Sequence, residues 1–232
     1  MLGQNSKKIP IAILIGGGSK LPAILKAAKN PKSKFYISLV VSHKKESTGI
    51  ELALKNKIPG FYFNLVDWRK RFNQSDKLAR KNYMKYLGWF ISQKQYAPKL
   101  LVFAGWDLVV DDNFLQFFKA NFGNGYAVVN LHPALLPAKG EKDEINLPDG
   151  TKSPIIKGEQ EKVLQTVIAK KLTYFGPTIH FLTPDFDTGE VISREFIKVD
   201  SRDTIKSLRK KLMPVEDKIL VASINLVISN YL

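Results

Sequence analysis

Apolar runs rich in Ile, Val, Leu and Phe alternate in the first half of the chain with segments whose apolar residues recur every three or four positions. Short apolar runs bounded by Gly, Pro or Asn are typical of buried strands, and the wider spacing is typical of amphipathic helices. The pattern predicts strands in IPIAILIGGG, at 35–42, at 60–63, in LLVFAG at 100–105 and in YAVVNLH at 126–132, and helices near 21–29, 49–56, 75–95 and 112–121. Strands that alternate with helices in this way build a parallel sheet.

The pattern changes after Pro137. The segment AKGEKDEINLPDGTKSP is polar and contains the turn signal LPDG, which indicates a long loop or a small hairpin. The pattern then predicts a helix at about 159–171, strands in GPTIHFLT and EVISREFIKV joined by PDFDTG, and a helix at about 202–231 that is broken near Pro214. We therefore expect an α/β fold, with a doubly wound, mostly parallel, Rossmann-like sheet, an antiparallel C-terminal extension and a long C-terminal helix.

Length and composition favour an ordinary globular protein. With 232 residues, 44% of them hydrophobic, the chain is long enough for one full-sized core, and we expect a single domain over 1–232. The absence of Cys excludes a thiolate nucleophile and any Cys-ligated metal site. No apolar run is long enough to span a bilayer, so we expect a cytoplasmic protein, either a monomer or a homodimer.

The formal charge of +15 raises the question of a nucleic-acid partner, because a basic surface attracts phosphate polyanions. The lysines are spread over the predicted helices, and the closest approach to a basic block with interleaved aromatics is the short stretch from Trp68 to Phe72. We interpret the excess charge as a solvated, lysine-rich surface. We therefore expect small-molecule partners and neither a membrane nor a nucleic acid.

The glycine stretch Gly16 to Lys20 is the first candidate for chemistry. Glycines between a strand and a helix let backbone N–H groups approach an anion closely, so Gly17, Gly18, Ser19 and Lys20 would cradle a phosphate. The stretch is neither a P-loop nor a complete dinucleotide fingerprint, since Leu21 stands where the last glycine would be. A tight turn without any ligand explains the stretch equally well.

A second candidate combines Asn130, His132 and Asp187. Two residues at i and i+2 of a strand point to the same face, so the Asn130 amide and the His132 imidazole can converge on one reacting oxygen. A carboxylate from the PDFDTG turn can pair with the imidazole and help to move a proton. A structural role for His132, and turn roles for Asp185 and Asp187, explain the same residues equally well, so spacing alone leaves both interpretations open.

The ordered motifs GGGS, VVSHKKESTGIELA, LLVFAGW, NLHPALLP and TIHFLTPDFDTGEVI, between Ile11 and Ile192, resemble those of the folate-dependent formyltransferases. Among these enzymes the chain is most similar to those that formylate glycinamide ribonucleotide in purine biosynthesis. The resemblance implies a Rossmann-like formyltransferase fold and 10-formyltetrahydrofolate as formyl donor, without a metal. It also implies that about 1–136 form the nucleotide- and phosphate-binding half, and that about 137–232 complete the folate site.

The resemblance also implies roles for individual residues. Asn130 and His132 would stabilise the tetrahedral intermediate, Asp187 would assist proton transfer, and His180 would support the site. The substrate phosphate would lie on Gly17, Gly18, Ser19 and Lys20, and Glu216 would contact the ribose. The folate-binding residues would be Phe103, Trp106, Val109, Val110 and Asp185.

Four departures from the family pattern leave the acceptor open. Lys20 replaces a common asparagine, Leu108 follows Asp107 where an arginine is frequent, Met213 replaces a polar phosphate contact, and the stretch 138–157 is unusually long. The same fold would also suit formylation of another amine, such as an amino sugar nucleotide, or hydrolysis of formyltetrahydrofolate. An alternative of a different class is a basic nucleic-acid-binding protein on an inactive scaffold.

Overall fold

A computed structural model of the chain describes residues 8–73 and 75–232, so the first seven residues of the expected domain lie outside the described part. The helices are α1 (Leu21–Lys29), α2 (Thr48–Lys55), α3 (Leu65–Phe72), α4 (Asp76–Ile91), α5 (Asp112–Leu115), α6 (Gln160–Ala169) and α7 (Ile205–Tyr231). The strands are β1 (Ile9–Ile15), β2 (Phe35–Ser42), β3 (Gly60–Tyr62), β4 (Leu100–Ala104), β5 (Val128–His132), β6 (Glu144–Asn146), β7 (Lys152–Pro154), β8 (Tyr174–Phe175), β9 (Thr178–Phe181), β10 (Val191–Arg194) and β11 (Ile197–Lys198).

The central sheet has seven strands in the order β10-β9-β5-β4-β1-β2-β3. The neighbouring strands β5, β4, β1, β2 and β3 are all parallel. Strand β9 pairs antiparallel with β5, and β10 pairs antiparallel with β9. Helices cover both faces: one core packs α1, α2 and α7 against the sheet, and the other packs α4 and α5. Because both faces are covered, the central strands β1 and β4 are apolar along their whole length. The expected doubly wound fold with an antiparallel extension is confirmed.

The polar segment after Pro137 forms a small hairpin, which was one of its two predicted structures. Strands β6 and β7 pair with each other, away from the central sheet. The hairpin is fastened to β10 by Glu141, whose carboxylate accepts two hydrogen bonds from Arg194 and two from backbone N–H groups. The Arg194 guanidinium is the main reason that the pKa of Glu141 falls to about 2.

Several predicted elements differ in the structure. The expected helix at 112–121 stops at Leu115 and continues only as a 3-10 turn to Phe118, because the chain must then return to the sheet, where Ala127 donates to the Phe118 carbonyl. The single strand expected over 190–199 is two strands, and the second, β11, pairs with the unpredicted β8. Helix α3 was also missed, because its basic residues conceal its amphipathic pattern.

The predicted break at Pro214 was wrong, since α7 runs through this residue. Proline removes one backbone hydrogen bond, but buried residues on both sides hold the helix in place: Leu208 and Leu212 before it, and Ile219 and Leu220 after it. The helix also begins later than expected, at Ile205, where Thr204 and Ser207 form a capping box. Among the described residues, no helix combines the length and apolar character needed to cross a bilayer.

Candidate active site

The candidate groups meet at the carboxyl ends of the parallel strands. Residues Gly16–Lys20 follow β1, and Trp106 follows β4 by two residues. Asn130 and His132 lie within the last three residues of β5. The loop between β9 and β10 brings Asp187 to the same edge. This edge is where open α/β sheets bind their ligands.

Asn130 faces His180 across the β5–β9 pair, and its amide Nδ2 lies 3.1 Å from His180 Nε2. The other ring nitrogen of His180, Nδ1, lies 2.9 Å from the Phe181 carbonyl, which only accepts hydrogen bonds. Complete burial lowers the pKa of His180 to about 4, so the ring is neutral at pH 7. Nδ1 therefore carries the hydrogen and Nε2 accepts from Asn130, which orients the Asn130 amide.

His132 has a partner on each side of its ring. Nε2 donates to the Ile156 carbonyl at 3.1 Å, and Nδ1 faces Asp187 Oδ2 at 3.4 Å. Both side chains are buried, and this burial raises the pKa of the Asp187 carboxyl, while His132 and Lys157 act in the opposite direction. Asp187 also has a left-handed backbone conformation, with φ of 53°. Asp187 Oδ2 has no hydrogen-bond partner among the described residues, so a small shortening of its distance to Nδ1 would allow proton transfer between the two groups.

The glycine turn after β1 has the shape of an anion cradle. Gly18 has a φ of +97°, and a Cβ on it would lie 2.5 Å from Gly49 Cα, so only glycine fits. The carbonyls of Gly16 and Gly17 are held by Ser47 and by the backbone of Gly49. Gly17 and Ser19 are exposed on the wall of a cavity of about 360 Å³, whereas Gly18 is buried.

Lys20 and Glu216 line the same cavity, and the Lys20 ammonium is held by acceptors on α7. The ammonium is 2.6 Å from Glu216 Oε2, 3.3 Å from Asp217 Oδ1 and 3.3 Å from the Met213 carbonyl, so all three of its hydrogens have acceptors. Gln160 donates to the other oxygen of Glu216 at 3.2 Å. Two residues expected to contact different parts of a substrate therefore form a buried ion pair, and their substrate contacts stay predictions.

The four apolar residues expected around folate lie together. A smaller cavity of about 60 Å³ is lined by Phe103, Trp106, Val109 and Val110. It shares Trp106, Asn130 and Asp187 with the larger cavity, so the two adjoin at the candidate catalytic groups. Asp185 is exposed and does not line either cavity, although its carbonyl accepts from Thr183 and Thr188 and so shapes the turn.

Two sets of site residues were missed by the sequence reasoning. In the first, Asp107 Oδ2 lies 3.4 Å from His43 Nε2 and 3.1 Å from Lys44 Nζ. Hydrogen bonding to His43, and then to Lys44, holds the pKa of Asp107 below its ordinary value. Lys44 is exposed in the larger cavity, with Nζ 3.4 Å from the position that a Cβ of Gly16 would occupy. The location of these residues just after β2 and β4 was an available signal.

The second missed set is the segment 156–160, which closes one side of the site. The Ile156 carbonyl accepts from His132, Lys157 Nζ donates to the Phe186 carbonyl at 2.9 Å, and Gln160 binds Glu216. A backbone carbonyl leaves no sequence signal, so this contact to His132 was not predictable. Within the described residues, no group of three or more His, Cys, Asp or Glu side chains is arranged to hold a metal ion.

Residues 8–224 match the formyl transferase family. Phosphoribosylglycinamide formyltransferase of Dictyostelium discoideum is 29% identical over 218 residues, which are 93% of this chain and 96% of that protein. Chloroplastic phosphoribosylglycinamide formyltransferase of Arabidopsis thaliana is 28% identical over 128 residues, 55% of this chain and 37% of the relative. The human trifunctional purine biosynthetic protein adenosine-3 is 26% identical over 228 residues, 97% of this chain and 19% of the relative, so the chain spans well under half of these two proteins.

Solved structures share the fold. Glycinamide ribonucleotide transformylase 1 from Symbiobacterium toebii superposes with a TM-score of 0.75 at 23% identity, over 99% of this chain and 91% of that one. Phosphoribosylglycinamide formyltransferase from Bacillus halodurans gives a TM-score of 0.73 at 22% identity, over 95% and 96% of the two chains. Since the family match extends over nearly all of the sheet and over the elements that carry the candidate site, the chain belongs to the formyl transferase family.

Proposed function

We propose that this protein transfers a formyl group from 10-formyltetrahydrofolate to the amine of glycinamide ribonucleotide, in purine biosynthesis. The names of the curated relatives support this acceptor, and one of them aligns with the chain over nearly the full length of both proteins. The observation that carries the proposal is the convergence of Asn130, His132 and Asp187 between a glycine turn and an apolar cavity.

The proposed reaction begins with attack of the ribonucleotide amine on the formyl carbon. A new C–N bond forms, and the formyl oxygen becomes an oxyanion in a tetrahedral intermediate. Asn130 donates to this oxygen through the N–H that is not used by His180, and His132 donates through Nε2. Fixed donors at the point where charge develops stabilise the transition state. Collapse of the intermediate then breaks the bond to N10 of the folate.

Protons must move from the attacking amine to the departing N10, and the His132–Asp187 pair provides the path. The raised pKa of Asp187 brings the carboxyl closer to the proton affinity of an imidazole, which favours proton exchange at Nδ1. For Nε2 to reach the oxyanion, its hydrogen bond to the Ile156 carbonyl must be replaced by one to the substrate. Binding therefore exchanges a backbone acceptor for the formyl oxygen.

The larger cavity suits the ribonucleotide, and the smaller one suits the folate ring. Backbone N–H groups of Gly17, Gly18 and Ser19 and the N-terminal end of α1 face a phosphate, and Lys44 supplies the nearby exposed cation. Glu216 would contact the ribose hydroxyls, held in position by Lys20 and Gln160. Phe103, Trp106, Val109 and Val110 supply the apolar wall for the folate, and Asp185 contributes its backbone to the adjoining turn.

Both halves of the expected single domain contribute to this site. Residues 8–136 carry the glycine turn, Asn130 and His132, and residues 137–232 carry the hairpin segment, Asp187 and Glu216. We infer that the chain acts as one formyltransferase unit, because no half contains a complete site. Its number of copies in solution stays a prediction.

The test offers the purified protein 10-formyltetrahydrofolate together with glycinamide ribonucleotide, with a panel of other amines including an amino sugar nucleotide, or with water alone. We expect formylated product with glycinamide ribonucleotide only. Transfer to a different amine would replace the proposed acceptor, and release of formate without an acceptor would identify a hydrolase. A variant with Asn130→Ala serves as the inactive control in every arm.

A further inference from the structure

One surface of the molecule is both aromatic and strongly basic, and the proposed reaction does not use it. Residues 61–91, which include α3, α4 and most of β3, carry seven Lys or Arg and only two Asp, a net charge of +5. The same 31 residues contain nine of the aromatic side chains of the chain. We call this surface the α3–α4 face.

Aromatic rings line an open cleft of about 390 Å³ on the α3–α4 face. Phe63 stacks on Tyr86 with ring centroids 5.6 Å apart and an interplanar angle of 16°, and Trp68 contacts both Phe72 and Tyr86. The Arg71 guanidinium lies 5.8 Å from the centroid of the Phe72 ring. Phe72 and Tyr86 are each more than 40% exposed, so the cleft presents aromatic surface to solvent.

A row of lysines lies on α4, the helix that contributes Tyr86 to the cleft. Lys77, Lys81 and Lys85 are four residues apart on α4, so they lie on one helix face at steps of about 6 Å along the axis. All three are exposed, and within the described residues none of them forms an ion pair with a carboxylate. Leu78, Tyr86 and Trp89 form the exposed row next to them, and Trp89 contacts Tyr86.

The face is separate from the candidate active site although it adjoins it. Asn64, at the start of α3, donates to the His43 carbonyl at 2.6 Å, and Phe63 N–H donates to the Ser42 carbonyl. The cleft therefore lies beyond β2, at the β3 edge of the sheet, whereas Asn130 and His132 lie on β5. A ligand on the α3–α4 face would not occupy the catalytic cavities.

We propose, against the expectation drawn from the spread of lysines along the sequence, that the α3–α4 face binds single-stranded nucleic acid. Exposed rings stack with unpaired bases, and an adjacent row of cations follows the phosphates, which is the combination that sequence-tolerant single-strand binding requires. A second copy of this chain is a poor occupant, because it would bring another strongly positive surface. An ordinary solvated helix face would mix lysines with acidic residues, whereas α4 has one acidic residue, Asp76, against four basic ones.

The test measures fluorescence anisotropy of labelled dT and rU strands of roughly twelve nucleotides, a length within the usual site size. We expect binding that weakens as salt rises. The triple variant Lys77→Glu, Lys81→Glu and Lys85→Glu should bind at least tenfold more weakly, and its log K should depend on log[salt] with a slope smaller by about 2, from ~0.7 per lost contact. The matched control reverses Lys26, Lys29 and Lys55, exposed lysines on α1 and α2, and should retain most of the affinity.

Stacking is tested separately. Tyr86→Ala should lower the affinity roughly tenfold, Tyr86→Phe should retain it because the ring remains, and Tyr36→Ala, which removes an equally exposed ring elsewhere, should have no effect. Thermal unfolding and formyl transfer identify any variant that misfolds, in which case Trp89→Ala takes the place of Tyr86→Ala.

The proposal fails if neither strand binds at low salt, or if both charge-reversal triples weaken binding equally. It also fails if poly-glutamate competes as well as the oligonucleotide and the stacking variants bind normally, since the face would then be a docking surface for an acidic protein.

Discussion

His180 Nε2 accepts a hydrogen bond from Asn130 Nδ2 over 3.1 Å, and it does so because the Phe181 carbonyl holds the ring hydrogen on Nδ1. The tautomer of one buried histidine thus determines which way the neighbouring amide points. Without this contact the Asn130 amide would lose the partner that distinguishes its nitrogen from its oxygen. His180 is therefore a positioning residue for the proposed oxyanion donor.

Replacement of His180 by Phe should lower kcat with little change in KM. Phenylalanine keeps the ring but offers no acceptor, and loss of one buried hydrogen-bond partner, worth about 1–3 kcal/mol, corresponds to roughly tenfold to hundredfold in rate. His180→Gln restores an acceptor and should recover part of the rate. Steady-state kinetics of the two variants decide the matter, and equal loss in both would indicate a purely structural role.

Replacement of His132 by Ala should lower kcat by about 10²–10³, the cost of losing one oxyanion donor. The variant also removes the proton path to Asp187, so the loss should lie at the upper end of this range or beyond it. Circular dichroism should show an unchanged fold, because His132 lies at the end of β5. Near-normal turnover would contradict the assignment of His132 to the reaction.

Replacement of Asp187 by Asn should abolish most activity and yet stabilise the fold at pH 7. Burial raises the pKa of Asp187, so the folded state holds the proton more firmly than the unfolded state, and stability falls as pH rises above the ordinary value of 3.8. Asparagine removes this cost and tolerates the left-handed backbone. Thermal unfolding should show a gain at pH 7 that disappears below about pH 3.8, and a loss of stability at pH 7 would count against the proposed burial effect.

Removal of the Lys20 cation alone should destabilise the protein by about 3–5 kcal/mol, because Glu216 would be left as an unpaired buried charge. The double variant Lys20→Met with Glu216→Gln should recover much of that loss, since both charges are then absent. Chemical denaturation of the single and double variants measures the coupling. If the loss of unfolding free energy in the double variant equalled the sum of the losses in Lys20→Met alone and Glu216→Gln alone, the ion pair would contribute no coupling energy.

Replacement of Lys44 by Ala should raise the KM for glycinamide ribonucleotide and leave kcat nearly unchanged. The ammonium lies beside the glycine turn and is about half exposed, so we expect an increase of only several-fold, smaller at high salt. Lys45→Ala is the matched control, because Lys45 is exposed next to it but does not line either of the two cavities. Equal effects of both substitutions would show a general charge effect, and not a phosphate contact.

The sequence alone determined the sheet, most helices and the place of the candidate site. Apolar strand patterns and amphipathic helix patterns are local, and the rule that ligands bind at the carboxyl ends of parallel strands then places Gly17, Asn130 and His132 together. The ordered motifs also indicated the family, which the comparisons confirmed over residues 8–224.

Only the tertiary structure decided how the site is held. The Lys20–Glu216 pair joins residues 196 positions apart in the chain, and the contact from His132 to the Ile156 carbonyl involves a backbone atom that has no sequence signature. The uninterrupted α7 likewise depends on cores that bury both ends of the helix around Pro214. Local patterns determine which elements form, but the packing of distant elements determines which polar groups meet. This packing depends on the summed contacts of the whole core, which no local pattern contains.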